Sequence, residues 1–170
     1  CVPRALEMAG HGSDGLTRVA TDAAGRIDVA ALRAFIRADR AAGLTPFLLI
    51  GTAGTVNSGA IDDLDALADL AGEEGVHFHI DGALGALGML SPEIAPLLRG
   101  IERADSMAFD FHKWGHVPYD AGFLLVREGA WLKDTFASPA GYLTRAETGL
   151  AAGGDWPCDI GPDLSRSFRA

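Results

Sequence analysis

The chain has 170 residues, 48% hydrophobic and 22% charged, with 22 glycines and a formal net charge of −9, a composition that fits one globular domain burying about 70% of the surface its unfolded form exposes. The acidic balance, with no Lys/Arg patch to offset it, excludes a phosphate-backbone binder, so no nucleic-acid partner is expected. No apolar run nears the roughly 18–20 residues that span a bilayer and the N-terminus lacks signal-peptide order; with two cysteines, Cys1 and Cys158, at no metal-type spacing, the sequence reads as cytoplasmic and not membrane-bound.

Residues 2–9 carry apolar side chains at helical spacing and stop at Gly10 and Gly12, as a helix ending on glycine does. A short strand is expected over 16–20. "DAAGRID" is turn chemistry, and Asp28 can cap a helix with Leu32, Phe35 and Ile36 on its apolar face, running to about Ala42. "PFLLIGT" is an uninterrupted apolar run of strand length, the pattern of a strand covered on both faces. After the loop "AGTVNSG", a helix over about 62–74 places Leu64, Leu67, Ala68 and Ala71 along one stripe and ends at Gly75. "VHFHID" is the next strand, "GALGALG" a small-residue loop, and 92–98 a short helix. Strands "SMAFDF" and "AGFLLVR" flank about ten residues with no helical pattern, so one of the two runs antiparallel. The alternation predicts an α/β fold, a mostly parallel sheet with helices packed on it. From Glu128 a short helix gives way to Gly-rich turn sequence, and residues 136–163 read as a mobile or partner-facing loop region. Both ends look cut, and 1–170 reads as an incomplete domain.

In open α/β sheets ligands bind beyond the carboxyl ends of the strands. Thr52 and Thr55 follow the first strand, Asp81 the second, and Asp110, His112 and Lys113 the third. Of the 14 basic side chains only Lys113 and Lys133 are lysine, so Lys113, set after an apolar strand between His112 and Trp114, stands out. In a partly desolvated cleft its amine is a usable nucleophile able to form a Schiff base; otherwise it is a solvated loop lysine. Asp81, followed by Gly82 and Ala83, suits a salt bridge to a protonated ring nitrogen such as that of a pyridoxal cofactor; otherwise it is a helix N-cap. His77, His79 and Asp81 share one strand face, and offer either the start of a metal-hydrolase site or packed polar side chains.

In order, "GTAGTVNSGAIDDLDALADLAGEEGVHFHIDGALGAL", "IERADSMAFDFHKW" and "LSRSFRA" resemble the pyridoxal-phosphate-dependent group II amino-acid decarboxylases, which include the aromatic amino-acid and glutamate decarboxylases. The resemblance implies a three-layer α/β architecture, that of the large cofactor domain of fold type I pyridoxal-phosphate enzymes, with 1–170 as its central part. It implies pyridoxal 5'-phosphate as cofactor, an amino acid as substrate, an amine and CO2 as products, a homodimer as the working form, and no metal. Position by position, Lys113 matches the Schiff-base lysine, Asp81 the partner of the pyridinium nitrogen, and Ala83 the small residue against the ring. His112 matches the histidine beside that lysine, His79 a strand histidine two positions before the Asp, and Thr55 falls in a loop near the cofactor. Asp110-Phe111 stands where many relatives have Asn-Pro or Asp-Pro; the Asn of such relatives helps hold phosphate, so an Asp there requires another role or a nearby cation. The loop "GGDWPCDIGPD" has Trp156 and Pro157 where relatives carry a proton-returning Tyr. That departure keeps open an aminotransferase, another lyase or an aldehyde-forming enzyme of the same cofactor fold. A metal hydrolase on His77, His79 and Asp81, or a noncatalytic domain, are the readings from other classes.

Overall fold

The structure, a computed structural model, describes residues 1–137, 146–149, 152–154 and 156–165, and divides into two units, 1–125 and 126–170. In the first, helix α1 (Val2–Met8) carries proline in its first turn, where the missing N–H leaves no bond unmade. Helix α2 (Val29–Ala41) begins at Asp28, whose carboxylate accepts the Ala31 N–H at 3.0 Å. Strand β1 (Leu48–Thr52) leads to helix α3 (Leu64–Glu74), capped by Asp63 through the Ala66 N–H and closed by Gly75 at φ 63°. Strands β2 (His77–Asp81), β3 (Ser106–Asp110) and β4 (Gly122–Val126) complete one sheet in the order β1-β2-β3-β4.

The first three strands run parallel, with Thr52 opposite Asp81 and Asp81 opposite Ala108. The Phe111 N–H donates to the Ala121 carbonyl at 2.8 Å across the base of the connection to β4, so the last strand returns against its neighbour. The fold is therefore α/β with a mixed, mostly parallel sheet. Its core lies between α3 and the sheet: Leu64, Leu67 and Leu70 are buried with Phe78 and Ile80 of β2 and with Leu98, each worth about 1.5–3 kcal/mol of apolar transfer. Gly51 lets this helix close down, since a Cβ there would sit 2.8 Å from Leu67 Cδ1. Along β2, buried Phe78 and Ile80 alternate with half-buried His77, His79 and Asp81. One face of the sheet is thus apolar and sealed, the other polar and half-open.

Two carboxylates tie the frame. Asp62 accepts the Ile27 N–H through Oδ1 and the Thr52 N–H through Oδ2, both at 2.7 Å, joining the 20–28 turn to the end of β1. Asp105 accepts the Phe78 N–H at 2.8 Å while its own N–H donates to the Phe78 carbonyl, which pins the β2/β3 register.

Two expectations fail locally. Residues 16–20 form no strand; a single bridge joins Thr21 to Ile27, because the Asp22 carboxylate collects the Ala24 and Arg26 N–H groups and turns the chain at once. The 92–98 helix is replaced by 3-10 turns at Ala86–Leu90, Ala95–Leu98 and Ile101–Arg103, since Pro96, inside that segment, lacks the N–H a continuous helix needs there.

The second unit contains helix α4 (Gly129–Phe136), a 3-10 turn at Pro157–Asp159 and an isolated bridge between Ala146 and Ala152. Parts of the expected 136–163 loop region (138–145, 150, 151 and 155) and most of the closing "SRSFRA" block (166–170) lie outside the described residues.

Candidate active site

The carboxyl ends of β1, β2 and β3 are knitted by backbone bonds. The Ala53 N–H donates to the Asp81 carbonyl, the Gly85 N–H to the Ala53 carbonyl, and the Gly82 N–H to the Ala108 carbonyl, at 2.8–2.9 Å. Here the loops after β1 and β2 touch backbone to backbone: a Cβ on Gly85 would lie 2.3 Å from the Ala53 oxygen. Small residues are thus required where Asp81 emerges.

Asp81 accepts the Ala83 N–H through Oδ1 at 3.2 Å, the capping contact that competed with a ligand role in the sequence. It uses one oxygen only, and among the described residues Oδ2 takes no hydrogen bond. Ala83 sits beside it, half-buried. Asp110 continues the same face of β3 two residues beyond Ala108, so strand spacing and rise put its Cα about 8 Å from that of Asp81.

Lys113 departs from the expected desolvated cleft. Its side chain is 37% exposed, and Nζ lies 2.7 Å from Asp110 Oδ2. Asp110 therefore has the cation that an acid at this position requires, and the cation is the candidate nucleophile itself. His112 is far less exposed, at 8%, with Nε2 3.9 Å from the same Asp110 oxygen. Its Nδ1 accepts the Ala121 N–H at 2.9 Å, so a neutral ring carries its proton on Nε2, toward Asp110. Tyr119 covers that ring at a centroid distance of 4.1 Å.

Thr55 is committed locally: its Oγ1 lies 2.7 Å from Ser58 Oγ and accepts the Ala60 N–H at 3.1 Å. The structure thus gathers Asp81 and Ala83 at one strand end and Asp110, His112 and Lys113 at the next, while the Thr55 hydroxyl closes its own turn.

His77 and His79 do not open toward a metal. Nε2 of the first and Nδ1 of the second both lie 2.8 Å from Ser106 Oγ, and among the described residues no three His, Cys, Asp or Glu side chains converge to hold an ion. Burial pushes the His79 imidazole below the ordinary histidine range; the Asp81 carboxylate opposes that shift and His77 adds to it. Sequence reasoning missed Ser106 and Asp62. Ser106 becomes visible only through the register that sets it opposite His79, and Asp62 only once its neighbour Asp63 has taken the helix cap.

A pyridoxal phosphate requires an amine for its aldehyde carbon, an anion for its ring N–H and a small residue against its ring. Lys113, the open oxygen of Asp81 and Ala83 supply that donor set, so the residues present fit the group.

Comparison with known proteins agrees. A family model, the pyridoxal-dependent decarboxylase conserved domain, matches residues 1–170. The aromatic-L-amino-acid decarboxylase of Bacillus atrophaeus is 42% identical over 169 residues, 99% of this chain and 35% of that protein. The aspartate 1-decarboxylase of Aliivibrio fischeri is 38% identical over 142 residues, 84% of this chain and 26% of that protein. The crystal structure of Oryza sativa TDC with PLP and tryptamine superposes with a TM-score of 0.80 at 31% identity, covering 84% of this chain and 30% of that one. The chain thus spans about a third or less of the length of these relatives.

Proposed function

The chain belongs to the pyridoxal-dependent decarboxylase family, and from that premise we propose that its protein removes the carboxylate of an amino acid as CO2, leaving an amine, with pyridoxal 5'-phosphate held at Lys113 and Asp81. The observation that carries the reading is a carboxylate oxygen at the end of β2 that takes no hydrogen bond among the described residues, together with a lysine just beyond the neighbouring β3.

Bound there, the cofactor supplies an electron sink for the pair released as the Cα–carboxylate bond breaks. Asp81, through Oδ2, would hold the ring N–H and keep the proton on that nitrogen, and Ala83 would leave room for the ring. Lys113 would hold the group through its amine, and Nζ, placed near the reacting carbon, is the group that would move a proton there. Asp110 Oδ2 lies 2.7 Å from Lys113 Nζ, so that amine would keep a counter-ion within reach whenever it carries a proton. His112, its Nδ1 fixed by the Ala121 N–H, offers Nε2–H to Asp110 or to a substrate carboxylate.

The finer parts of the reading are a cytoplasmic homodimer, no nucleic-acid partner, and 1–170 as part of the large cofactor domain. The net charge of −9 supports the second of these. Among the described residues no helix is long and apolar enough to cross a membrane.

The test uses the full-length protein with pyridoxal phosphate. Borohydride reduction followed by peptide mapping is expected to label Lys113, and a label on Lys133 or on neither refutes the reading. Product analysis is expected to find CO2 and an amine; an aldehyde or a keto acid assigns a different reaction on the same cofactor.

A further inference from the structure

Beneath Asp81, on the same face of the sheet, His77 and His79 share one buried hydroxyl. Ser106 is 8% exposed, stands opposite His79 in the β2/β3 register, and holds His77 Nε2 and His79 Nδ1 each at 2.8 Å. A serine hydroxyl has one proton to give and lone pairs to receive. It can donate to only one of the two rings, so the other must present an N–H to it, and the tautomers of the two imidazoles are coupled.

The direction in which His79 would otherwise turn matters. Asp81 lies two residues along the strand, and among the described residues its carboxylate is the anion acting on the His79 ring. A half-buried imidazole without Ser106 has to find a partner, and the open Oδ2 of Asp81 is the acceptor on offer. That is the oxygen the proposed function assigns to the cofactor ring.

We propose that Ser106, backed by His77, is a positioning residue that holds His79 in one tautomer and turned away from Asp81, which keeps Asp81 Oδ2 available. The inference rests on the decarboxylase reading for its functional consequence, while the tautomer lock stands on geometry alone. It makes the start of β3 part of what tunes cofactor binding. It also gives "HFHID" a role that needs no metal: its histidines guard the carboxylate that ends the motif.

The experiment is nitrogen NMR of histidine-labelled full-length apoprotein together with cofactor titration. The wild type is expected to give tautomer-specific shifts for the two His79 nitrogens. Ser106→Ala is expected to collapse them toward averaged values and to weaken cofactor binding about tenfold, the scale of one lost buried hydrogen bond. Ser106→Thr, which keeps the hydroxyl, is expected to restore both. Should the alanine variant fail to fold, His77→Phe reads the same coupling, because it removes the ring that fixes which way the hydroxyl proton points and is expected to blur the His79 tautomer. Unchanged His79 shifts in Ser106→Ala or His77→Phe overturn the proposal, as does weakened binding in Ser106→Ala with an unperturbed His79 spectrum. A wild-type protein that shows the lock yet takes no cofactor at Lys113 refutes the proposed function instead.

Discussion

Replacing Asp62 by asparagine is a sharp test of how the site is held up from below. Both carboxylate oxygens accept backbone N–H groups at 2.7 Å, from Ile27 and Thr52, in a residue only 6% exposed. Asparagine keeps one oxygen and puts an NH2 where the other stood, so two donors face each other in a place water scarcely reaches. A hydrogen bond to a charged group contributes about 1.5–3 kcal/mol. Losing one and weakening the other costs about 2–4 kcal/mol, and Asp62→Ala, which abandons both N–H groups, costs more. Hydrogen exchange followed by mass spectrometry on the full-length protein reads this locally: the segments containing Ile27 and Thr52 are expected to exchange roughly 30- to 700-fold faster, at about 1.4 kcal/mol per factor of ten. The end of β1 also pairs with Asp81, so cofactor affinity is expected to fall in step. Unchanged exchange at both segments, or an alanine variant no worse than the asparagine one, refutes the reasoning.

Gly100→Ala puts a Cβ 2.5 Å from the Asp65 nitrogen in a residue at φ +94°, a contact and a backbone state that alanine cannot hold together; a loss of about 2–4 kcal/mol is expected, read as a lowered unfolding midpoint. The His79 imidazole is held below its unfolded value by burial, so the unfolded chain takes up that proton first. The stability tied to the neutral ring is then complete above about pH 6.5 and drains as pH falls toward the lower folded value; His79→Gln is expected to flatten this part of the stability profile, and an unaltered profile refutes it. Asp110→Asn removes the partner of Lys113, but both groups are partly exposed. Its effect on stability is expected to stay within about 1 kcal/mol, so a large drop in melting temperature marks the pair as structural.

The elements legible in the sequence are those whose own residues decide them. Asp28 and Asp63 cap, Gly75 stops a helix, and the stripe of Leu64 and Leu67 needs only one partner surface, so α2, α3 and all four strands stand within a residue or two of expectation. The 16–20 and 92–98 segments depart from it because their fate depends on contacts: the Asp22 side chain competes for backbone donors, and the run of 3-10 turns is shaped by Gly88 and Gly100 packing on Ile94 and on the Leu64–Asp65 backbone. The candidate site divides the same way. Lys113 and Asp81 stand out by rarity and by position after apolar runs. The Lys113–Asp110 pair spans only three residues and answers the need for a cation near Asp110, whereas the Ser106 bridge and the Asp62 clip are side-chain distances that no local pattern encodes, and only register and packing set them.

The alternation along β2 separates two kinds of failure on a single strand. Phe78 and Ile80 point into the sealed side and determine whether the protein is made and kept; His77, His79 and Asp81 point to the half-open side and bear on what it binds. A scan of every substitution through "HFHID" should therefore show a two-residue rhythm in two separate measurements, cellular abundance dipping at the even positions and cofactor occupancy at the odd ones. Such a strand can be tuned for a new task on one side while its other side stays fixed, and drift at odd positions would leave a well-folded protein with altered chemistry.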